Sequence, residues 1–80
     1  MTRARQAIAG LLGERGLDKT ICPSEAARRI TPEGGDWRAK MGEVHAAADA
    51  MQAAGEIELT SRGRRLDRRR GAYRIARRRA

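Results

Sequence analysis

The chain has 80 residues, of which 18 are Lys or Arg and 10 are Asp or Glu, giving a formal net charge of +8 at pH 7. A chain of this length forms one domain with a thin core and leaves little room for an enclosed active-site cavity, which argues against an enzyme. Residues 1–61 hold eight basic and nine acidic residues, a net of −1, whereas residues 62–80 hold ten Arg and one Asp, a net of +9. This distribution is typical of a domain that meets a polyanion with one edge.

The single cysteine and the distribution of apolar residues predict the compartment. Cys22 has no second cysteine with which to form an intrachain disulfide, which is consistent with a reducing cytoplasm. The apolar stretch near the N-terminus is too short for a secretory signal, and no stretch approaches the ~20 apolar residues of a membrane span. We therefore expect a cytoplasmic protein with no membrane partner.

Apolar spacing predicts a first helix over residues 3–15, ended by Gly16. Its apolar stripe consists of Ala4, Ile8, Leu11 and Leu12. A connector follows, with a short extended piece at residues 20–22. Pro23 lacks an N–H group and therefore suits the first turn of a second helix, predicted over residues 23–30.

The longest periodic run in the chain predicts a third helix over residues 37–54. Asp36 is a good N-cap, and Gly55 closes the helix. The residues of its apolar stripe step by four and by three, and they are Trp37, Met41, Val44, Ala48 and Met51. We expect this stripe to pack in one core with Ile8, Leu11, Leu12, Ile57 and Leu59.

After Gly55 the hydrophobic pattern changes from helical to alternating, which is typical of half-buried strands. The alternation covers residues 56–60 and returns at residues 72–76. These two segments are predicted to pair as an antiparallel hairpin. The loop between them, residues 62–71, is long enough that we expect it to be mobile. A basic tail over residues 77–80 follows.

The order of these elements predicts an α+β fold, namely a winged helix-turn-helix domain over residues 1–80. Three helices are followed by a C-terminal two-stranded antiparallel wing, and the second and third helices form the helix-turn-helix. An isolated hairpin is marginally stable in water, so the wing must pack its apolar residues against the helices. Those residues are Ile57, Leu59, Tyr73 and Ile75.

Several runs of residues also resemble a known family. They are Thr20-Ile21-Cys22-Pro23-Ser24-Glu25, then Trp37-Arg38, a long Ala-rich helix and Gly55-Glu56-Ile57-Glu58-Leu59-Thr60. Together they resemble a bacterial domain-of-unknown-function family of winged-helix type, over nearly the whole chain. The resemblance implies the winged-helix fold and a cytoplasmic bacterial protein. It implies nucleic-acid binding by fold analogy alone and brings no activity with it.

The Arg-rich wing is the predicted nucleic-acid-binding site. Each guanidinium presents a planar fork that bonds phosphate oxygens in pairs, and crowded Arg side chains repel one another until a polyanion relieves the repulsion. The candidate contact residues are Arg62, Arg64, Arg65, Arg68, Arg69 and Arg70 in the wing, with Arg38 and Lys40 beside the third helix. Further backbone contacts are expected from Arg28, Arg29, Arg74, Arg77, Arg78 and Arg79. The alternative is that the wing is a solvated basic loop.

The exposed face of the third helix predicts little sequence-specific readout. Base reading in the major groove needs Arg, Lys, Asn or Gln. This face instead carries small residues together with Glu43 and Asp49, whose charges would repel phosphate. We therefore expect binding mainly to the phosphate backbone of double-stranded DNA, with RNA as a second possibility.

A protein–protein adaptor is the alternative function, because the Ala-rich third helix suits packing against a partner helix. Cys22 and His45 lack the orienting third group and the oxyanion site that a nucleophilic pair needs, so we predict a buried Cys22 and no catalytic residue. One His and one Cys are too few ligands for a metal site of that type. No glycine-rich phosphate loop is present, and we expect no cofactor.

Overall fold

A computed structural model describes residues 2–78 and arranges them as three α-helices and a four-stranded antiparallel sheet. In chain order the elements are α1 (Arg3–Arg15), β1 (Thr20–Ile21), α2 (Pro23–Arg29), a 3-10 helix (Trp37–Lys40), α3 (Met41–Ala53), β2 (Ile57–Ser61), β3 (Arg64–Leu66) and β4 (Arg74–Arg77). The predicted α+β class and the three helices are confirmed, whereas the predicted number of strands is wrong. No helix in residues 2–78 is long and apolar enough to cross a membrane.

Local hydrogen bonds set the helix ends close to the predicted positions. The Thr2 hydroxyl caps α1 by accepting from the Arg5 N–H at 3.1 Å. In the first turn of α2, the Glu25 carboxylate accepts from the Cys22 N–H at 2.8 Å. At the end of α3, the Gly55 and Glu56 N–H groups donate back into the last turn, at 3.0 and 2.9 Å. This closing pattern requires the positive φ of 76° that Gly55 adopts.

The third predicted helix is composed of two parts. Residues Trp37–Lys40 form a 3-10 helix, and the α-helix begins only at Met41. Asp36 caps the 3-10 helix as predicted for an N-cap, because its carboxylate accepts from the Arg38 N–H at 3.1 Å. The tighter winding of the 3-10 turn is common at helix N-termini, and apolar spacing does not reveal it.

The sheet has the strand order β1-β4-β2-β3, with β4 in its interior. The predicted antiparallel pairing of the two alternating segments is confirmed, since Leu59 of β2 lies opposite Ile75 of β4. Ile75 also lies opposite Ile21, so the short extended piece joins the sheet as β1. The two strands of the predicted wing are therefore part of a larger sheet and not a separate two-stranded hairpin.

Residues 61–66 form a tight hairpin, which corrects the predicted long loop. Ser61 pairs with Arg64, and only Arg62 and Gly63 lie between the strands. Both have positive φ, 52° and 78°, as in a type I′ turn. The remaining connection to β4 is residues 67–73. Arg77, predicted to begin a basic tail, lies in β4, and residues 79 and 80 lie outside the described residues.

One core joins the helices to the inner face of the sheet. Eight predicted core residues are buried: Ile8, Leu11, Leu12, Val44, Ala48, Met51, Ile57 and Leu59. Trp37 and Met41 are instead half-buried and pack against the edge of the core. Ile21, Tyr73 and Ile75 complete the sheet side, which shows that the strands lie on the helices as predicted.

Candidate nucleic-acid interface

Ion pairs neutralise many of the charges on the helical body. Arg3 binds Glu43 with two hydrogen bonds of 2.7 and 2.9 Å, and Arg29 binds Glu14 with two of 2.7 Å. Two further pairs join Arg5 to Glu56 and Arg15 to Glu25. These guanidiniums are held by carboxylates of the same molecule and are less available to an external anion.

The predicted wing differs from the body because most of its arginines have no acidic partner among residues 2–78. Within residues 2–78, no carboxylate lies within 4.0 Å of the guanidiniums of four exposed wing residues, which are Arg62, Arg64, Arg68 and Arg70. Arg65 has only a long contact of 4.0 Å with Glu58. The mutual repulsion of these cations is therefore not relieved inside the described part of the molecule.

The connection between β3 and β4 lies against α3. Gln52 donates from its side-chain amide to the Leu66 and Asp67 carbonyls, both at 3.1 Å. His45 Nδ1 lies 2.7 Å from the Tyr73 hydroxyl. His45, Asp49 and Gln52 are spaced by four and by three residues and therefore share one face of α3. Through His45 and Gln52 this face holds both ends of the connection. The mobility predicted for residues 62–71 stays a prediction.

Arg69 is the wing arginine that points back toward the helix. Its guanidinium donates to both Asp49 oxygens, at 2.9 and 3.0 Å. The same hydrogen bonds lower the pKa of Asp49. Its neighbours along the chain, Arg68 and Arg70, are exposed and make no ion pair among residues 2–78.

The two acidic residues of α3, Glu43 and Asp49, are each paired with an arginine, which the sequence does not reveal. Asp49 is bound by Arg69, and Glu43 is bound by Arg3 across the α1–α3 interface. The hydrogen bonds from Arg3 lower the pKa of Glu43, so its carboxylate is ionised at neutral pH and remains matched by the guanidinium. The repulsion of phosphate predicted for this face is therefore largely compensated.

Burial determines the protonation of the His45–Tyr73 pair. Desolvation lowers the pKa of His45, and the nearby positive charge of Arg69 lowers it further. Burial also raises the pKa of Tyr73 to about 12. At neutral pH both side chains are uncharged, which suits a hydrogen bond at the edge of the core.

The predicted contacts beside the third helix occupy a separate cluster. The Arg38 guanidinium lies 4.4 Å from the centroid of the Trp37 ring, and the Arg28 guanidinium lies 4.6 Å from it. These cation–π contacts connect α2 to the 3-10 helix. Lys40 is half-buried. Arg28 and Arg38 are both exposed.

The remaining predicted backbone contacts differ in their accessibility. Arg74 is exposed but donates to the Thr20 hydroxyl at 2.7 Å, and Arg77 is half-buried at the end of β4. Arg78 is exposed, whereas Arg79 lies outside the described residues. The arginines of the turn and of the connection therefore offer the most accessible charge.

Cys22 and His45 make separate hydrogen bonds. Cys22 is half-buried, not buried as predicted, and it is the N-cap residue of α2, outside the apolar face of that helix. Its sulfur accepts from the Ser24 hydroxyl at 3.2 Å, whereas His45 is bound to Tyr73. In the described range 2–78, no group of three or more His, Cys, Asp and Glu side chains is placed to hold a metal ion.

Sequence reasoning missed the residues that hold the connection. His45, Asp49 and Gln52 are polar at helical spacing, and this is the signal that they share one face. A polar stripe of this kind does not identify its partners, because Leu66, Arg69 and Tyr73 follow 14 or more residues later. Only the folded chain places them together.

Comparison with known protein families gives one match. The chain matches the family described as "Protein of unknown function (DUF3253)" over residues 1–78 and belongs to it. This confirms the predicted membership of a domain-of-unknown-function family. A search of curated proteins found no match.

Proposed function

We propose that this DUF3253 protein is a winged helix-turn-helix protein that binds nucleic acid mainly through phosphate contacts from its Arg-rich wing. The element order supports the winged-helix assignment. A short strand follows α1, and the other strands follow α3. In the antiparallel sheet β1 pairs with β4, and β4 pairs with β2. The β2–β3 hairpin and the connection to β4 are then the wing.

The observation that carries the proposal is the unequal compensation of charge. All three arginines of α1 and one of the two in α2, Arg29, are matched by carboxylates, whereas four wing arginines have no carboxylate within 4.0 Å among residues 2–78. Those four are Arg62, Arg64, Arg68 and Arg70. Phosphate contact relieves the repulsion between such cations and releases counterions from the nucleic acid. It supplies affinity with little sequence information.

The exposed surface of α3 is compatible with a nearby duplex. Gly42, Ala46 and Ala50 are exposed there and are small, which allows the helix backbone to approach a groove. They offer no side-chain donors to base edges, so the helix contributes shape more than readout. Double-stranded DNA is the proposed ligand, RNA is the second candidate, and the proposal places the protein in the cytoplasm.

The test is the affinity for a DNA duplex measured across a salt series. If the four unpaired wing arginines each meet a phosphate, log affinity falls with log salt at a slope of about −3.6. Replacing Arg68 and Arg70 together with Gln is expected to flatten this slope by about 1.8, because two contacts are lost. Circular dichroism checks that the variant remains folded.

The matched control for this variant replaces Arg15 and Arg29 with Gln. It removes the same two charges, but from guanidiniums held by Glu25 and Glu14. We expect its salt slope to stay close to that of the wild type. Equal flattening in both variants would mean that net charge alone drives binding, and a wild-type protein that binds no duplex at low salt would refute the proposal.

One observation favours the alternative of a protein–protein adaptor. A groove of about 400 Å³ lies between the start of α1 and α3, and its floor is formed by Ala46, Ala47 and Ala50. Such a small-residue groove suits a partner helix. The two functions differ in retention on immobilised DNA or heparin, which the adaptor does not require and the nucleic-acid-binding protein does.

A further inference from the structure

The hairpin tip carries an arginine in an unfavourable backbone conformation. Within residues 2–78, Arg62 is the non-glycine residue with positive φ, at 52°. It occupies the first central position of the two-residue turn, where Asn, Asp and Gly are strongly preferred. Any residue with a Cβ raises the energy of the turn there, because the Cβ approaches the following carbonyl oxygen. Asn and Asp offset this cost with a short polar side chain that hydrogen-bonds locally, which arginine does not have.

No contact in the described part of the protein offsets this cost. Arg62 is exposed, and within residues 2–78 its guanidinium makes no hydrogen bond or ion pair. The neighbouring Gly63 also faces open space, with no heavy atom within 4 Å of the position of a Cβ. Asn at position 62 would give a more stable turn, so the fold itself does not account for an arginine there.

Strand register limits how far the tip projects. Arg74 of β4 lies opposite Thr60, so only the Ser61–Arg64 pair and the turn extend beyond the end of β4. This projection is too short to lay a two-stranded ribbon along the wide major groove. The group that reaches outward is a single arginine side chain on a narrow convex turn.

A narrow minor groove complements this shape and charge. A·T-rich tracts of B-form DNA have a narrow minor groove whose enhanced negative potential attracts inserted Arg side chains. The minor groove of an RNA duplex is wide and shallow and lacks this feature. The tip is flanked by Arg64, which is exposed and has no acidic partner among residues 2–78.

We propose that Arg62 enters the minor groove of A·T-rich duplex DNA while Arg64, Arg68 and Arg70 contact the flanking phosphates. The inference rests on the proposed function and deepens it, because it names the groove, the base composition and the residue that selects it. It also explains why the turn keeps an arginine where the backbone favours asparagine.

The test compares three duplexes of equal length: an A-tract duplex, a G·C duplex and the same G·C duplex with inosine replacing guanosine. Inosine lacks the N2 amino group, so its minor groove resembles that of A·T pairs while its major groove resembles that of G·C pairs. The wild-type protein is expected to bind the A-tract and inosine duplexes about tenfold more tightly than the G·C duplex, a ratio typical of one base-pair contact.

Arg62→Asn is the diagnostic variant. It is expected to reduce the preference for the A-tract duplex to within about twofold and, since Asn suits the turn, to raise the urea midpoint of unfolding. Arg70→Asn is the matched control, because it also removes one charge. It is expected to weaken binding to all three duplexes by a similar factor and to retain the preference.

The outcomes separate this inference from the proposed function. Equal wild-type affinity for A-tract and G·C duplexes overturns the role of Arg62 but leaves phosphate binding by the wing intact. An inosine duplex that behaves like the G·C duplex overturns minor-groove entry, as does an Arg62→Asn variant that keeps the wild-type preference. Failure to bind any duplex at low salt overturns both proposals.

Discussion

Gly55 ends α3 with a φ of 76°, and the Arg78 guanidinium lies 2.6 Å from the position that a Cβ at residue 55 would occupy. Gly55→Ala is therefore expected to destabilise the protein by about 1–2 kcal/mol, mainly through backbone strain, since the long Arg78 side chain can move aside. Urea unfolding followed by circular dichroism measures the change.

The control for Gly55→Ala is Gly42→Ala. Gly42 lies within α3, and the position of its Cβ has no heavy atom within 4 Å. Alanine there is expected to stabilise the helix by about 0.5 kcal/mol. If both substitutions shift the urea midpoint in the same direction, the left-handed conformation of Gly55 does not determine the cost.

His45 makes stability depend on pH. Its folded-state pKa is lowered by burial and by Arg69, so the unfolded chain binds the proton more readily than the native protein. The contribution of His45 is therefore complete above the unfolded pKa of about 6.5 and is lost as pH falls below that value through the folded pKa. We expect the free energy of unfolding to decline as the pH is lowered from 7 to 5.

His45→Gln tests this assignment, because glutamine keeps a hydrogen-bonding side chain near Tyr73 but does not titrate. The variant is expected to lose the pH dependence between pH 7 and 5. Both proteins are expected to lose stability at lower pH, where Asp49 and Glu43, whose pKa values are lowered by their arginine partners, take up protons. An unchanged profile above pH 5 in the variant would assign the dependence to another group.

At the scale of elements, α3 and the connection over residues 67–73 act as a unit. The Asp49–Arg69 pair holds one wing arginine against the helix, while Gln52 and His45 hold the two ends of the connection. While it is bound to Asp49, the Arg69 guanidinium is not free to contact a phosphate group. Arg68 and Arg70 are exposed and take part in no ion pair among residues 2–78.

Asp49→Asn is expected to release Arg69 for a phosphate contact. The salt dependence of DNA binding should then steepen by about 0.9 in slope, as expected for one additional neutralised phosphate. Because the ion pair is largely exposed, the variant should lose no more than about 1 kcal/mol of stability. Affinity across a salt series and urea unfolding measure the two effects.

Asp67→Asn is the control for this prediction. Asp67 makes no ion pair among residues 2–78, and Gln52 contacts its backbone carbonyl, which the substitution retains. The variant has the same change of net charge and should tighten binding slightly with an unchanged slope. Identical slopes in the two variants would show that Arg69 does not transfer from Asp49 to phosphate.

At the scale of the whole molecule, β4 connects the two ends of the chain. Ile75 is fully buried and lies opposite both Ile21 of β1 and Leu59 of β2. It therefore joins the strand after α1 to the strand after α3. For 80 residues the total stability is of the order of 4–12 kcal/mol. One large core substitution at this position therefore affects a substantial part of it.

Ile75→Ala is expected to destabilise the protein by about 3–4 kcal/mol, through lost burial and the cavity that remains. Leu17→Ala is the control, because Leu17 is 72% exposed and its truncation should change stability by less than about 0.5 kcal/mol. Both values are obtained from urea unfolding. A small cost at residue 75 would indicate that the sheet holds together without its central strand.

Much of the fold can be predicted from the sequence because the spacing of apolar residues follows which side of an element is buried. The stripe Ala4, Ile8, Leu11 and Leu12 marks α1, and the change of pattern after Gly55 marks β2. In contrast, β3 was missed because Arg64-Arg65-Leu66 has one apolar residue in three and is exposed along most of its length. Its pairing depends on the positive φ of Arg62, which arginine does not signal.

The sequence by itself determined the helices, the pairing of the two alternating segments and the concentration of arginine near the C-terminus, because periodicity and composition are local properties. Tertiary structure alone decided which charges are compensated. Arg69 and Asp49 form an ion pair although they are 20 residues apart in the sequence, and Arg3 and Glu43 do so at a separation of 40 residues. An ion pair requires two side chains within a few ångströms, and helix packing sets that distance whatever the separation along the chain.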